Sequence, residues 1–231
     1  MLARLAQQTV FETYKGQVEI ILADYDPENK GITIREADRF RQDFPDIKLE
    51  GILIDRKGIA YARHKGILRS AGHTIVNFDA DAYFAHNNCI ERCTRPILNG
   101  ECVLTCCDNL LNTNEIDDSA GKNDNVLVVR IAYTVANKIQ RDNMIVIYEP
   151  GMCFSRYAYD FCGGFNDVKQ SEGGFISARI IYNFGFKAKQ HVPDAAVVVS
   201  ARRAVASSKY GLIDTWFNYD NAFRESEKFT L

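Results

Sequence analysis

Two aspartates follow directly after a short apolar run in the segment TIVNFDADAYF, residues 74–84. The sequence holds two Asp-x-Asp triplets, about the number that its aspartate content gives by chance. Position adds information, because residues two apart on an extended chain point to the same side, with Cα atoms about 6.5 Å apart. Asp79 and Asp81 are therefore predicted to hold one Mg²⁺ or Mn²⁺ ion that keeps coordination sites open for phosphate oxygens.

The segments before this pair alternate between strand and helix patterns. Three β-branched apolar runs are typical of strands buried on both faces, and apolar residues at helical spacing lie between them. Right-handed crossovers between such strands predict an α/β fold with a mostly parallel central sheet flanked by helices. The three runs, VEIILAD, LEGILID and HTIVNFD, end in Asp24, Asp55 and Asp79. A polar cleft is predicted at this carboxyl edge, where such sheets bind ligands, and solvated loop aspartates are the alternative.

The second half of the chain has weaker patterns. A length of 231 residues favours one domain of this class over two small ones. The elements predicted there are a surface loop over 117–125, a helix over 126–142, a strand over 144–156 broken at Pro150-Gly151, a helix over 174–184 that ends at Gly185, and a strand over 195–203.

Composition excludes several classes of protein. A formal net charge of −2 argues against a nucleic-acid-binding protein that neutralises many phosphates. The N-terminal residues lack the apolar core of a signal peptide, and no apolar run reaches the roughly 20 residues of a membrane span. Seven cysteines, an odd number, fit a reducing compartment. We therefore expect a cytoplasmic protein, for which a peripheral membrane contact stays open.

Five of the cysteines are close in sequence, which raises the question of a zinc site: Cys89, Cys93, Cys102, Cys106 and Cys107. The segment ECVLTCC is typical of a strand, in which Cys102 and Cys106 would lie about 13 Å apart. That separation is too large for one tetrahedral ion. Buried thiols are the preferred interpretation.

Four segments together resemble the inverting family-2 glycosyltransferases with the A-type fold. They are QVEIILADYD, GIAYARHKGILRSAGHTIVNFDADAYF, PGMCFSRYAYDFCGGFND and SEGGFISARIIYNFGFKAK, in the family's order and spacing. The resemblance implies a single Rossmann-like domain, with a nucleotide-binding half near residues 1–84 and a donor-sugar and acceptor half near 85–231. It also implies transfer of a hexosyl group from a UDP- or GDP-linked sugar to a glycan, protein or lipid acceptor, with Mn²⁺ or Mg²⁺ as cofactor.

The resemblance also assigns roles to individual residues. His64 stands where the family usually has asparagine after the nucleotide-contacting arginine, which puts that contact in question. The implied roles are the nucleotide base for Asp24 and, as second choice, Asp26; the nucleotide for Arg63; the metal and diphosphate for Asp79 and Asp81; and the donor-sugar and acceptor pocket for Gly163, Gly164 and Phe165.

The sequence departs from the family at the general base. The family's acidic motif is typically Glu-Asp-x-Asp, and counting back from Arg179 the chain has Glu172-Gly173-Gly174-Phe175. Gly173 occupies the usual base position, so Glu172 is the remaining candidate to take the acceptor proton. If Glu172 cannot do so, the chain is retaining, uses another base or is inactive.

The second departure is at the start of the chain. Family members begin with a strand in the middle of the sheet, whereas this sequence opens on a helical pattern, MLARLAQQTVF. A sheet without that strand would leave backbone groups unpaired in its interior. Either upstream residues are absent from the sequence or another segment fills the gap.

Each of three late residues has two interpretations. Arg202 and Arg203 would meet phosphate charge on the donor or on a lipid acceptor, or else form a solvated basic strand end. His191 is a candidate third metal ligand, although a structural histidine is the preferred interpretation.

Two other classes of function compete with glycosyl transfer. A nucleotidyltransferase also binds nucleotide and metal on a parallel sheet, but the glycine-rich basic loop that usually follows its first strand is not visible. A sugar-nucleotide-binding protein with impaired catalysis is the other alternative, because Gly173 replaces the usual base.

Overall fold

The computed structural model describes residues 2–26, 28, 31–112, 123–142, 150–165 and 172–200, without the side chains of 123–129 and 132. Arg202 and Arg203 lie outside these residues. The helices are α1 (Leu2–Ala6), α2 (Val10–Thr13), α3 (Ile32–Asp43), α4 (Ile59–Arg69), α5 (Cys89–Leu98), α6 (Asn123–Arg141), α7 (Arg156–Phe161) and α8 (Glu172–Phe184). The strands are β1 (Glu19–Asp24), β2 (Lys48–Leu53), β3 (Thr74–Asn77), β4 (Tyr83–Phe84), β5 (Leu104–Leu111), β6 (Met152–Ser155) and β7 (Lys189–Val199).

Most of the predicted elements occur in the structure, with shifted boundaries. Gly185 follows the last residue of α8 at a φ of 81°, which fits the predicted helix end at a glycine. Strand β7 begins six residues before the predicted start at 195, and residues 123–125 of the predicted loop form the first turn of α6. Residues 144–149 of the predicted broken strand lie outside the described part of the chain.

The strands form two sheets rather than one mostly parallel sheet. Strands β1 and β2 form a parallel pair, and five strands form a second sheet in the order β3-β6-β5-β7-β4. Among the described strands of that sheet, β5 and β7 are parallel, while the β3–β6, β6–β5 and β7–β4 pairs are antiparallel. The mostly parallel sheet was a wrong prediction, because an apolar run indicates a buried strand without indicating its direction.

The separation between the two sheets falls between β1 and β3. In the described residues, β1 pairs only with β2, and β3 pairs only with β6. Helix α4 packs against both sheets: an added Cβ on Gly66 would lie 3.7 Å from Ala23 of β1, and Ile67 belongs to the same core cluster as Ile75 of β3. Helix α4 therefore packs on both sides of the separation between β1 and β3.

Two hydrophobic clusters cover the opposite faces of the five-stranded sheet. Met152 and Phe154 of β6 belong to the cluster that α4, α7 and α8 complete, while Cys153 faces the cluster of α5. This alternation is what a strand buried on both faces requires. All seven cysteines are free and buried, which confirms the interpretation as core thiols. Among the described helices, none is long and apolar enough to cross a membrane.

Candidate nucleotide-sugar site

The Asp-x-Asp segment forms a turn. The backbone N–H of Ala82 donates to the carbonyl oxygen of Asp79 at 3.1 Å, and the rings of Phe78 and Phe84 stack with centroids 4.4 Å apart across this turn. The extended geometry predicted for the two aspartates is therefore wrong, because the chain reverses between β3 and β4 to continue the sheet. Asp79 is partly buried at the end of β3, whereas Asp81 is exposed at the tip of the turn.

Arg63 joins two predicted site residues that are distant in sequence. Its Nη2 donates to Oδ1 of Asp79 at 2.5 Å, and its Nη1 donates to Oε1 of Glu172, 109 residues further along the chain. The side chains of Arg63 and Glu172 are 10% and 6% exposed, while that of Asp79 is 35% exposed. We call these three residues the Arg63 cluster. Its ion pairs are partly desolvated, so removing Arg63 would leave two carboxylates without the cation that they share.

The elements that form the Arg63 cluster explain why its members meet. Arg63 lies in the second turn of α4, and Glu172 is the first residue of α8, where a carboxylate is favoured by the helix dipole. Asp79 follows β3, which α4 and α8 both cover through the cluster of Ile67, Ile75 and Ile176. One guanidinium faces two carboxylates, so the cluster keeps a net negative charge.

Asp24 and Asp26 form a separate group at the carboxyl end of β1. Oδ2 of Asp24 accepts a hydrogen bond from the Thr33 hydroxyl at 2.5 Å, and Oδ2 of Asp26 accepts one from the Gly31 N–H at 2.7 Å. These contacts attach the loop after β1 to the start of α3. The structure thus brings Arg63, Asp79 and Glu172 into contact, but Asp24 ends β1 of the other sheet and Asp26 lies in the loop after it.

The Gly163-Gly164-Phe165 turn is fixed by side chains that the sequence patterns did not single out. The Phe165 N–H donates to the Tyr159 hydroxyl at 3.1 Å, and this hydroxyl lies 2.8 Å from Nδ1 of His64. Burial raises the pKa of Tyr159 to about 12, so its hydroxyl keeps its proton. His64 therefore has a structural partner at the position where the family usually has asparagine.

Arg179 supports the same turn from α8. Its Nη1 donates to the carbonyl oxygen of Cys162 at 2.7 Å, and its Nη2 donates to that of Gly164. Burial lowers the pKa of Arg179. Tyr159 and Arg179 are the residues that sequence reasoning missed as supports of this turn. In the sequence, Arg179 could have been noticed from its fixed distance after the acidic motif, whereas no pattern pointed to Tyr159.

Gly164→Ala is expected to destabilise the protein more than Gly163→Ala. Both glycines have positive φ angles, 75° for Gly163 and 70° for Gly164. A Cβ on Gly164 would lie 3.0 Å from the Tyr159 ring, whereas the nearest described neighbour of one on Gly163 is Arg179, at 3.8 Å. Overpacking of this kind costs about 1–3 kcal/mol, in addition to the backbone strain that the two variants share. Urea unfolding of both variants measures the difference. Equal losses would contradict it.

His191 takes part in a partly buried network of polar contacts. Its Nε2 lies 3.0 Å from Oδ1 of Asp108 in β5, and the same carboxylate pairs with Arg141 at the end of α6. Burial lowers the pKa of His191, an effect that the Asp108 contact opposes. These contacts agree with the preferred interpretation of His191 as a structural residue.

The carboxylates after β3 are compatible with a divalent cation that substrate phosphates help to bind. Magnesium is usually held by one or two carboxylates, with phosphate and water oxygens completing its octahedron. Asp79 and Asp81 supply that number, and the net negative charge of the Arg63 cluster favours a cation. Within the described part of the chain, no three histidine, cysteine or acidic side chains are grouped to hold a metal by themselves.

Comparison with protein-family models gives a match over most of the chain. The model described as "Glycosyl transferase family 2" matches residues 1–163. The chain belongs to glycosyltransferase family 2. The resemblance inferred from the sequence segments is thereby confirmed. A search of curated proteins gave no match.

Solved glycosyltransferases share the fold of this family-2 chain at low sequence identity. The mannosyltransferase PcManGT from Pyrobaculum calidifontis, in complex with GDP-Man and Mn2+, has a TM-score of 0.60 and 15% identity, covering 86% of this chain and 53% of that one. S. aureus TarS 1-349 with UDP-GlcNAc has a TM-score of 0.61 and 12% identity, covering 90% and 56%. GalNAc-T7 with UDP, GalNAc and Mn2+ has a TM-score of 0.56 and 13% identity, covering 80% and 38%.

These comparisons confirm the A-type α/β fold predicted for the chain. The family-2 chain spans between 38% and 56% of the length of the three solved chains. Identities of this size indicate a shared fold and do not transfer a substrate.

Proposed function

We propose that the chain is a metal-dependent hexosyltransferase that moves a sugar from a UDP- or GDP-linked donor to an acceptor hydroxyl with inversion. The observation that carries this proposal is the contact of Arg63 with both Asp79 and Glu172, because it places the three expected site residues in one partly buried cluster. Solved relatives of the same fold were crystallised with GDP-Man and Mn2+, with UDP-GlcNAc, and with UDP, GalNAc and Mn2+, which supports a nucleotide-sugar donor.

The donor would lie along the ends of β1 and β3. Asp24, with Asp26 as second choice, would contact the base, and Arg63 would contact the nucleotide. Asp79 and Asp81 would hold Mn²⁺ or Mg²⁺, which when bound stabilises the charge that develops on the leaving diphosphate. The Gly163-Gly164-Phe165 turn would border the donor sugar and the acceptor, and Arg202 and Arg203 would meet phosphate charge on donor or acceptor.

The proton of the acceptor would go to Glu172. As this carboxylate takes the proton, the acceptor oxygen attacks the anomeric carbon, and the bond from that carbon to the diphosphate oxygen breaks with its electron pair on the diphosphate. Attack on the face opposite to the leaving group gives inversion. A glycan, a protein or a lipid supplies the hydroxyl. The free, buried cysteines support a reducing compartment, the cytoplasm, for this reaction.

Thermal unfolding in the presence of nucleotides tests the donor assignment. We expect UDP or GDP, alone or sugar-linked, to raise the melting temperature only together with Mn²⁺, because a ligand that binds the native state stabilises it. The corresponding nucleoside monophosphates are the control, since they lack the diphosphate that would bind the metal. An absence of any Mn²⁺-dependent shift with all these nucleotides would contradict the proposal.

A sugar-nucleotide-binding protein without turnover is the second candidate, and one observation favours it. Glu172 pairs with Arg63 in a buried contact, and Gly173 stands at the usual base position. Donor binding without release of nucleoside diphosphate would support this candidate. Release of pyrophosphate would instead identify a nucleotidyltransferase.

A further inference from the structure

We infer that Arg63 and the divalent cation compete for Asp79, so that the cation binds tightly only when a donor diphosphate draws Arg63 away. This inference rests on the proposed function and concerns the order of binding at the same site. It makes Arg63 a positioning residue that links donor binding to the availability of both Asp79 and Glu172.

The geometry of the Arg63 cluster shows the conflict. Nη2 of Arg63 lies 2.5 Å from Oδ1 of Asp79, in a charge-assisted hydrogen bond. A Mg²⁺ or Mn²⁺ ion that binds this carboxylate directly would lie roughly 2.0–2.2 Å from its oxygen. Two cations would then share one carboxylate in a partly desolvated site, where repulsion between like charges is stronger than in water. An ion that binds instead through Oδ2, which is not part of the contact with Arg63, meets the same repulsion, so it would bind weakly while Arg63 stays in place.

Arg63 needs another anion if it is to move. Its side chain is 10% exposed and its second partner, Glu172, is 6% exposed, so the guanidinium cannot exchange the carboxylates for bulk water without a large rearrangement. The diphosphate of a nucleotide sugar presents oxygens that match the planar donor fork of arginine. The donor thus supplies the ligand that Arg63 requires and also the phosphate oxygens that complete the cation shell.

Two consequences follow from this exchange. Cation and nucleotide should each strengthen the binding of the other by the same factor, because the coupling between two sites is reciprocal. The same movement would also uncover Glu172, so the proposed proton acceptor would become available only when a donor is bound.

Titration with Mn²⁺, followed by electron paramagnetic resonance of the free ion, tests the competition without an activity assay. We expect Arg63→Gln to bind Mn²⁺ alone at least about tenfold more tightly than the wild type. Arg63→Lys keeps the positive charge and should lie closer to the wild type. The matched control is Arg69→Gln, since Arg69 is on the same helix and pairs with Glu50 on the exposed surface. This control should remain within about twofold of the wild type.

A double variant keeps the prediction testable if Arg63→Gln alone fails to fold. Arg63→Gln alone leaves Glu172 as a buried charge without its partner, whereas Arg63→Gln/Glu172→Gln removes both charges of that pair. The double variant should also bind Mn²⁺ more tightly than the wild type, although by less than Arg63→Gln because it has one carboxylate fewer, and circular dichroism establishes that it is folded.

The outcomes separate this inference from the proposed function. If Arg63→Gln and the double variant bind Mn²⁺ no more tightly than the wild type while UDP or GDP still promotes Mn²⁺ binding, the competition is overturned and the proposed function stands. If no form of the protein binds Mn²⁺ even with UDP or GDP, the proposed function fails and the inference fails with it.

Discussion

Asp79→Asn is expected to lower glycosyl transfer by at least about 100-fold, the loss typical of removing one electrostatic contact to a developing charge. Asp79 begins the turn that follows β3, and it is the aspartate of the Asp-x-Asp pair that contacts Arg63. An amide has nearly the same shape, but it carries no charge to bind a cation or to balance the guanidinium. Release of nucleoside diphosphate from the donor found in the nucleotide screen measures the effect.

The control for this variant is Asp46→Asn. Asp46 also forms an ion pair, with Lys15, but both of these side chains are more than 70% exposed. Exposed pairs of this kind contribute about 0–1 kcal/mol, so both turnover and stability should stay close to the wild type. If Asp79→Asn keeps turnover within about threefold of the wild type, Asp79 is not a ligand of the catalytic cation.

Glu172→Gln is expected to lower turnover by roughly 10²–10⁴-fold, the contribution of a positioned general base, while Mn²⁺-dependent nucleotide binding is kept. Glutamine preserves the shape and one acceptor oxygen at the start of α8 but does not take a proton at neutral pH. A loss of turnover without a loss of nucleotide binding is expected for a general base, whereas a residue that only shapes the site would affect both. Single-turnover transfer and nucleotide titration, made on the same preparation, measure the two quantities.

Glu101→Gln is the matched control, since Glu101 is exposed and its carboxylate accepts a hydrogen bond from Asn99. Its turnover should equal that of the wild type. Unchanged turnover in Glu172→Gln would show that another group takes the acceptor proton. A wild type that binds the donor and never transfers the sugar would instead favour the binding protein.

The sequence predicted the features that depend on local chemistry. Apolar residues at helical spacing predicted helices α3 and α4. Gly185 predicted the end of α8, and this glycine has the positive φ angle that such helix ends favour. The Asp-x-Asp pair at the end of an apolar strand indicated where we propose the site to lie. The order of the motifs indicated the family, which the match to residues 1–163 confirms.

Strand direction and sheet partition were decided by the tertiary structure. The residues of β6 are apolar whichever way the strand runs, so its antiparallel position between β3 and β5 could not be inferred from its composition. The turn at Asp79–Ala82 depends on β4 returning to pair with β7, a contact between residues more than 100 positions apart. The prediction that Asp79 and Asp81 lie on an extended chain was therefore wrong, because the segment forms a turn.

By itself, the sequence determined the types of side chain available for chemistry, because residue type and local spacing are properties of the chain. Only the tertiary structure decided which of them meet. The ion pair between Arg63 and Glu172 joins residues 109 positions apart and forms because α4 and α8 cover the same face of the sheet. Packing of this kind depends on all the elements together, and no short motif contains it.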